Sequence, residues 1–198
     1  AGTGTRTLTL GGSSEGENRI RLRLVDNGAS ALSLTKADAG LWILDPATSN
    51  SYTGTTTISA GVLQVPSSAA AVQGLGSGNL NLNGGLLQSS GAFSRALGTG
   101  AGAVQFTAAS GFSASASPLS VNIGGGASLI WNSTPQFLGA AALVLNSSTA
   151  LDVVTFQNNV DLNAGTRTVT VNDNSSTGTD YAILSGVISG SGASALTK

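Results

Sequence analysis

The chain has 198 residues and a formal net charge of −1, and Gly, Ala, Ser and Thr fill 104 of its positions. It holds no His, Cys or Met, which excludes disulfides, zinc fingers, Fe–S clusters, haem ligation and His-based nucleophile triads, and leaves oxygen ligands as the sole way to hold a metal. Six scattered arginines form no electropositive footprint, so nucleic acid is not an expected partner.

Taken in chain order, period-2 alternation predicts half-buried strands at Thr5–Leu10 (TRTLTL), Arg19–Val25 (RIRLRLV), Thr56–Ser59, Asn79–Asn83 (NLNLN), Leu119–Ile123 and Thr166–Val171 (TRTVTV). Strand centres fall near Leu22, Ile43, Leu63, Leu82, Gln105, Val121, Val144, Val154 and Val169. Turn clusters separate them, among them Gly11-Gly12-Ser13, Asp26-Asn27-Gly28, Asn83-Gly84-Gly85 and Gly124-Gly125-Gly126. Only Ser67–Gln73, ahead of Gly74, reads as a helical turn or two. No run approaches the roughly 18 apolar residues of a membrane helix, and the start does not read as a signal peptide, so this chain is not expected to insert into a membrane.

Short, evenly spaced strands without helical crossovers fit either a β-sandwich or a stack of β-coils. Internal self-similarity decides between them. Leu34-Thr35-Lys36-Ala37-Asp38-Ala39-Gly40-Leu41-Trp42-Ile43-Leu44 parallels the chain's end read into its start, Leu196-Thr197-Lys198 followed by Ala1 to Leu10. Asn27 to Lys36 likewise parallels Ser189 to Lys198. The termini thus read as two halves of one repeat unit in a single module, 1–198, built to abut further copies, as a solenoid with open ends would.

These residues, with Asn50 to Val65, Leu75-Gly76-Ser77-Gly78 and Leu80 to Leu87, resemble the autotransporter-associated β-strand repeats of bacterial secreted and outer-surface proteins. The resemblance is specific over 34–89, returns at Ile183 to Lys198 and Ala1 to Leu10, and is vaguer between. It implies a parallel β-helix on or outside the cell. The fold expected is all-β, a right-handed parallel β-helix (β-solenoid). At roughly 20 residues and about 4.8 Å per coil this gives nine or ten coils in a rod about 45 Å long. Tyr52-Thr53-Gly54 is read as one corner, with Gly54 in a conformation other residues resist, and Ala60-Gly61 as another.

Chemistry-bearing residues are sparse. The nine carboxylates show no pair placed for glycoside chemistry, and Glu15 and Glu17 read as loop charges. Asp173, Ser175, Thr177 and Asp180 follow the first half of a calcium loop, but position 184 is Leu where the bidentate acid would stand. Arg19, Arg21 and Arg23 put three guanidiniums on one strand face, read either as a binding face for an acidic glycan or a neighbouring rod, or as a guard against edge pairing. The aromatics are read as core.

The expectation is therefore a cofactor-free, non-enzymatic surface or secreted module whose partner is a copy of itself, head-to-tail, as a covalent tandem or a non-covalent filament, in a fibre, filament or adhesin stalk. The joint is assigned to Ala1, Gly2, Thr5, Thr7, Leu8 and Leu10 against Ala195, Leu196, Thr197 and Lys198. The alternative is a glycan- or surface-binding adhesin domain of an autotransporter passenger.

Overall fold

In the computed structural model, residues 4–66 and 74–198 are described. The helical turn read at Ser67–Gln73, and Ala1 and Gly2 of the assigned joint, lie outside them. The first strands are β1 (Arg6–Leu10), β2 (Asn18–Ile20), β3 (Leu32–Lys36), β4 (Leu41–Leu44), β5 (Thr56–Ile58) and β6 (Val62–Gln64). The middle of the chain supplies β7 (Leu80–Leu82), β8 (Leu86–Phe93), β9 (Val104–Phe106), β10 (Ser110–Val121), β11 (Leu129–Ile130) and β12 (Leu143–Leu145). The last are β13 (Val154–Phe156), β14 (Val160–Asp161), β15 (Thr166–Val171), β16 (Ala182–Leu184), β17 (Ile188–Ser189) and β18 (Ala195–Thr197).

Every pairing between these strands is parallel, and each strand lies beside one from the next circuit of the chain. Short strands with apolar residues on one side cannot bury that side within a single coil, so they stack. The first face carries β1-β3-β5-β7-β9, and the second carries β2-β4-β6-β8-β10-β12-β15-β18. The trailing residues of β8 and β10 pair as a third face, which β13 and β16 continue. The sheet β11-β14-β17 takes the first face's place in the circuit, after the third face and before the second.

The result is a parallel β-solenoid of about 7 turns, fewer than the nine or ten expected. The reason is coil length. Leu41 pairs with Val62, 21 positions on, but Leu119 pairs with Val154, 35 positions on, and most coils exceed 20 residues.

Inside, Leu34, Ile58, Leu82, Val104 and their counterparts on the other faces form one continuous core. Phe93, Phe106, Phe112, Phe137 and Trp131 add an aromatic chain with ring centroids 5.0 to 6.1 Å apart. Trp42 is half-buried with its Nε1 donating to the Gly11 carbonyl, whereas Tyr181 is exposed.

The corners explain the glycines. Gly61 has φ +62°, and a Cβ there would stand 2.5 Å from the carbonyl oxygens of Asp38, Ala39 and Gly40 in the coil beside it. Gly54 is needed for a different reason than the one read from sequence. Its φ is ordinary, but a Cβ would collide with the Leu32 carbonyl, so close approach of coils selects it.

Two strand readings need correction. The strand predicted over Arg19–Val25 ends at Ile20, and Leu22, its expected centre, is 78 % exposed, so the apolar period there meets no core. The strand predicted over Leu119–Ile123 is the tail of the 12-residue β10. Ala116, Ser117 and Pro118 bulge outward there and shift the register, since proline has no N–H for the ladder.

The second face is not bare outside. The β12–β13 connection runs back across it, with Gln88 Nε2 donating to the Thr149 carbonyl at 2.9 Å and Ser148 Oγ donating to Glu15 Oε1 at 2.7 Å. Beside this strap Leu41, Ile43 and Val62 form a small second apolar cluster.

Candidate functional site at the two open ends of the coil

A solenoid has two places where its repeating interactions stop. At the N-terminal end β1 pairs only with β3, and β2 only with β4. At the C-terminal end β16, β17 and β18 each have one neighbour, β13, β14 and β15. Each of these strands has one neighbouring strand among the described residues.

Core residues of the outermost described coils are half-buried. Leu8, Ile20 and Leu24 of the first coil pack on the core from one side and are only half-buried. Val171, Ala182 and Leu184 do the same at the far end. There a recess of about 320 Å³ opens between Val169, Val171, Tyr181, Leu184, Leu196 and Lys198. Tyr181, Val187, Ile188 and Leu196 are 57, 65, 43 and 40 % exposed.

Of the residues assigned to the joint, Thr5 and Thr7 are exposed, Leu8 is half-buried against Leu34, and Leu10 is buried. Ala195, Leu196, Thr197 and Lys198 are exposed at the opposite end. Their faces differ. Leu8, Thr9 and Leu10 stack on Leu34, Thr35 and Lys36 in the first face, whereas Leu196 and Thr197 stack on Arg167 and Thr168 in the second.

The arginine stretch is occupied by the chain itself. Arg19 bonds Glu17 at 2.8 Å and Asp45 at 3.0 Å, and these partners, Glu17 foremost, raise its pKa further. Arg21 stands 3.8 Å from Asp45, and Arg23 donates to the Ser49 carbonyl. The calcium candidates do not converge. Asp180 is buried and accepts from the Asn174 N–H, Thr177 bonds Thr179, and Asp173 and Ser175 point to solvent. No group of three or more carboxylates gathers for a metal among the described residues.

Sequence reasoning missed the groups that bracket the coils. Lys36 is fully buried, and its Nζ donates to the carbonyls of Ala37, Asp38 and Ala60 at 2.5, 2.7 and 3.1 Å. Burial lowers its pKa, which the Asp38 charge partly offsets. Asp26 accepts from the Leu32 N–H and from Thr53 N–H and hydroxyl, and these bonds, Leu32 first, lower its pKa. Asn50 accepts from Leu24 and donates to Gly74, joining three coils.

The segment with Gly61, Lys36, Tyr52 and the Leu41–Leu44 strand is also the one that matches a known family: residues 34–65 match the passenger-associated-transport-repeat. The chain carries that repeat. The match runs from Leu34 within β3 through β6, strands on two faces with both glycine corners between. No curated protein and no solved structure matches the chain. No helix is long and apolar enough to cross a membrane among the described residues.

Proposed function

We propose that the chain is a non-enzymatic structural module of a bacterial passenger, secreted or held at the outer surface, whose coils extend one another head-to-tail into a fibre or adhesin stalk. The observation that carries this reading is the repetition inside the chain, where each coil joins the next by parallel strand pairing and a shared apolar core. A further coil would add by the same two interactions. The passenger-associated-transport-repeat at 34–65 supports a location outside the cell.

Negative-stain electron microscopy of the purified chain at micromolar concentration tests it. Filaments far longer than one solenoid are the expected result. Isolated short rods at every concentration would overturn end-to-end assembly. An adhesin with an arginine-lined glycan site is the weaker reading, because Arg19 and Arg23 are already engaged.

A further inference from the structure

We infer that the β12–β13 connection is a latched cover: its tip lifts from the second face and bares an apolar strip on the outer side of the strands, while the ladder beneath stays paired. Parallel strands that carry apolar side chains on both sides need cover on both. Leu63, Leu87 and Phe112 supply the inner side of the second face. Leu41, Ile43 and Val62 form a separate cluster on its outer side, yet they are only 5, 2 and 5 % exposed. Leu86, beside Val62 in the ladder, is buried as well.

The strap is pinched at its base and lightly held along its span. Ala114 N–H donates to Asn146 Oδ1, and the Ala114 carbonyl accepts from the Leu151 N–H, so both ends of the loop close on one residue of β10. Ala150 N–H donates to the Ser147 carbonyl and folds the tip into a tight turn, which Asn174 Nδ2 braces through the Ala150 carbonyl. Beyond this base the tip rests on three side-chain bonds: Ser147 Oγ with Ser113 Oγ at 3.0 Å, Gln88 with the Thr149 carbonyl, and Ser148 with Glu15. Of these, the Ser148–Glu15 bond alone reaches the first coil, and both of its residues are exposed.

Space on either side lets the tip move. A cavity of about 430 Å³ lies between it and Leu41 and Gln64, and another of about 450 Å³ between it and Val62, Leu86 and Val144; Ser148 lines both. A segment with unfilled volume on two sides and one exposed hydrogen bond at its far end belongs to the least stable part of a fold. The strands beneath do not need it, because Leu41, Val62 and Leu86 are joined by backbone pairing. Opening therefore uncovers side chains across β4, β6 and β8 without unzipping a coil. The apolar strip is a surface that the molecule holds in reserve behind its own chain.

The chain has no cysteine, so one introduced thiol reports on one place. In the whole chain, Val62→Cys sets a thiol under the strap, and Leu63→Cys sets one in the core on the same strand. Their rates of reaction with an excess of a small thiol reagent are compared with and without Ser148→Ala, which deletes the latch donor. Ser148→Ala is expected to speed labelling of Val62→Cys about tenfold, the worth of one hydrogen bond to a carboxylate, and to leave Leu63→Cys unchanged. An unchanged rate at position 62 overturns the latch. An equal rise at position 63 would show the coil itself opening, and overturns the inference too. So does labelling of Val62→Cys at the speed of the urea-unfolded chain while Ser148 is intact, since the strip is then not covered. Should Val62→Cys disturb the fold, seen as lost β-sheet circular dichroism, Ile43→Cys takes its place and the same outcomes decide.

Discussion

The coils within 34–65 and those beyond Ser110 solve the same stacking problem differently. In the first region the register steps are short, as from Leu34 to Thr56, and backbone stacks almost directly on backbone through Gly54 and Gly61. In the second, Ser110 lies beside Leu143 and Leu119 beside Val154, and the longer coils are filled by Trp131, Phe137, Phe112 and bracketing asparagines. Asn146 accepts from the Ala114 N–H and donates to the Asp180 carbonyl, and Asn158 accepts from the Ile123 N–H. A region stacked by backbone tolerates no added atom at its corners. A region stacked by side chains tolerates insertions but depends on the large groups that fill the wider interior.

The sharpest way to break this contrast is Trp131→Ala. It removes a fully buried indole that packs on Phe137 and donates from Nε1 to the Ala141 carbonyl, and should cost about 4 kcal/mol in urea unfolding. Hydrogen exchange should then speed up in the coils beyond Ser110 while strands β3 to β6 keep their protection, because solenoid coils depend on nearest neighbours. Uniform loss of protection would show that the two regions are one cooperative unit.

Gly61→Ala attacks the other region. A methyl against three carbonyls at a left-handed φ should cost about 3 kcal/mol. The comparison is Gly125→Ala, at φ +68° but with nothing within 4 Å, where the backbone preference alone applies and about 1 kcal/mol is expected. Equal effects in denaturant titrations would refute the claim that close stacking governs the repeat.

Lys36→Met keeps the buried stem and deletes the ammonium that three carbonyls share, so a loss of about 2 kcal/mol is expected. A neutral or stabilising result would mean that burying the charge costs as much as its bonds return.

Asp26→Asn has the smallest expected effect, and it is visible in acid. The Asp26 carboxylate has a lowered pKa in the fold, so its contribution is present above the ordinary value of 3.8 and is lost as pH falls through the folded value. The variant should flatten that part of the stability profile, read as the urea midpoint against pH. An unchanged profile would remove Asp26 from the account of how the first two coils are joined.

Much of this contrast was legible in the residues. The glycine at position 61 and the alternation of Thr166–Val171 predicted a corner and β15 with the bounds observed. The Arg19–Val25 alternation misled because Arg21, Leu22 and Arg23 keep the polar–apolar period of a strand while Leu22 stands 78 % exposed outside any ladder. β10 was only partly visible, since the Ser-Ala-Ser-Ala-Ser run has no apolar period, although Ser110, Ser113 and Ser115 are buried there. Lys36 carried no local sign of burial, because its acceptors at Ala37, Asp38 and Ala60 are backbone groups that the fold brings together.

The sequence by itself determined the class of fold, through small residues at corners and short alternating strands, and it excluded most catalytic and metal chemistry by composition. Tertiary structure alone decided how many coils there are and which face each strand occupies. Leu34-Thr35-Lys36 and Leu196-Thr197-Lys198 read identically, yet Leu34–Lys36 lies in the first face and Leu196 and Thr197 in the second. A strand's face is set by the number of residues that every preceding corner and bulge consumes, and that sum is fixed only when the coils pack against one another.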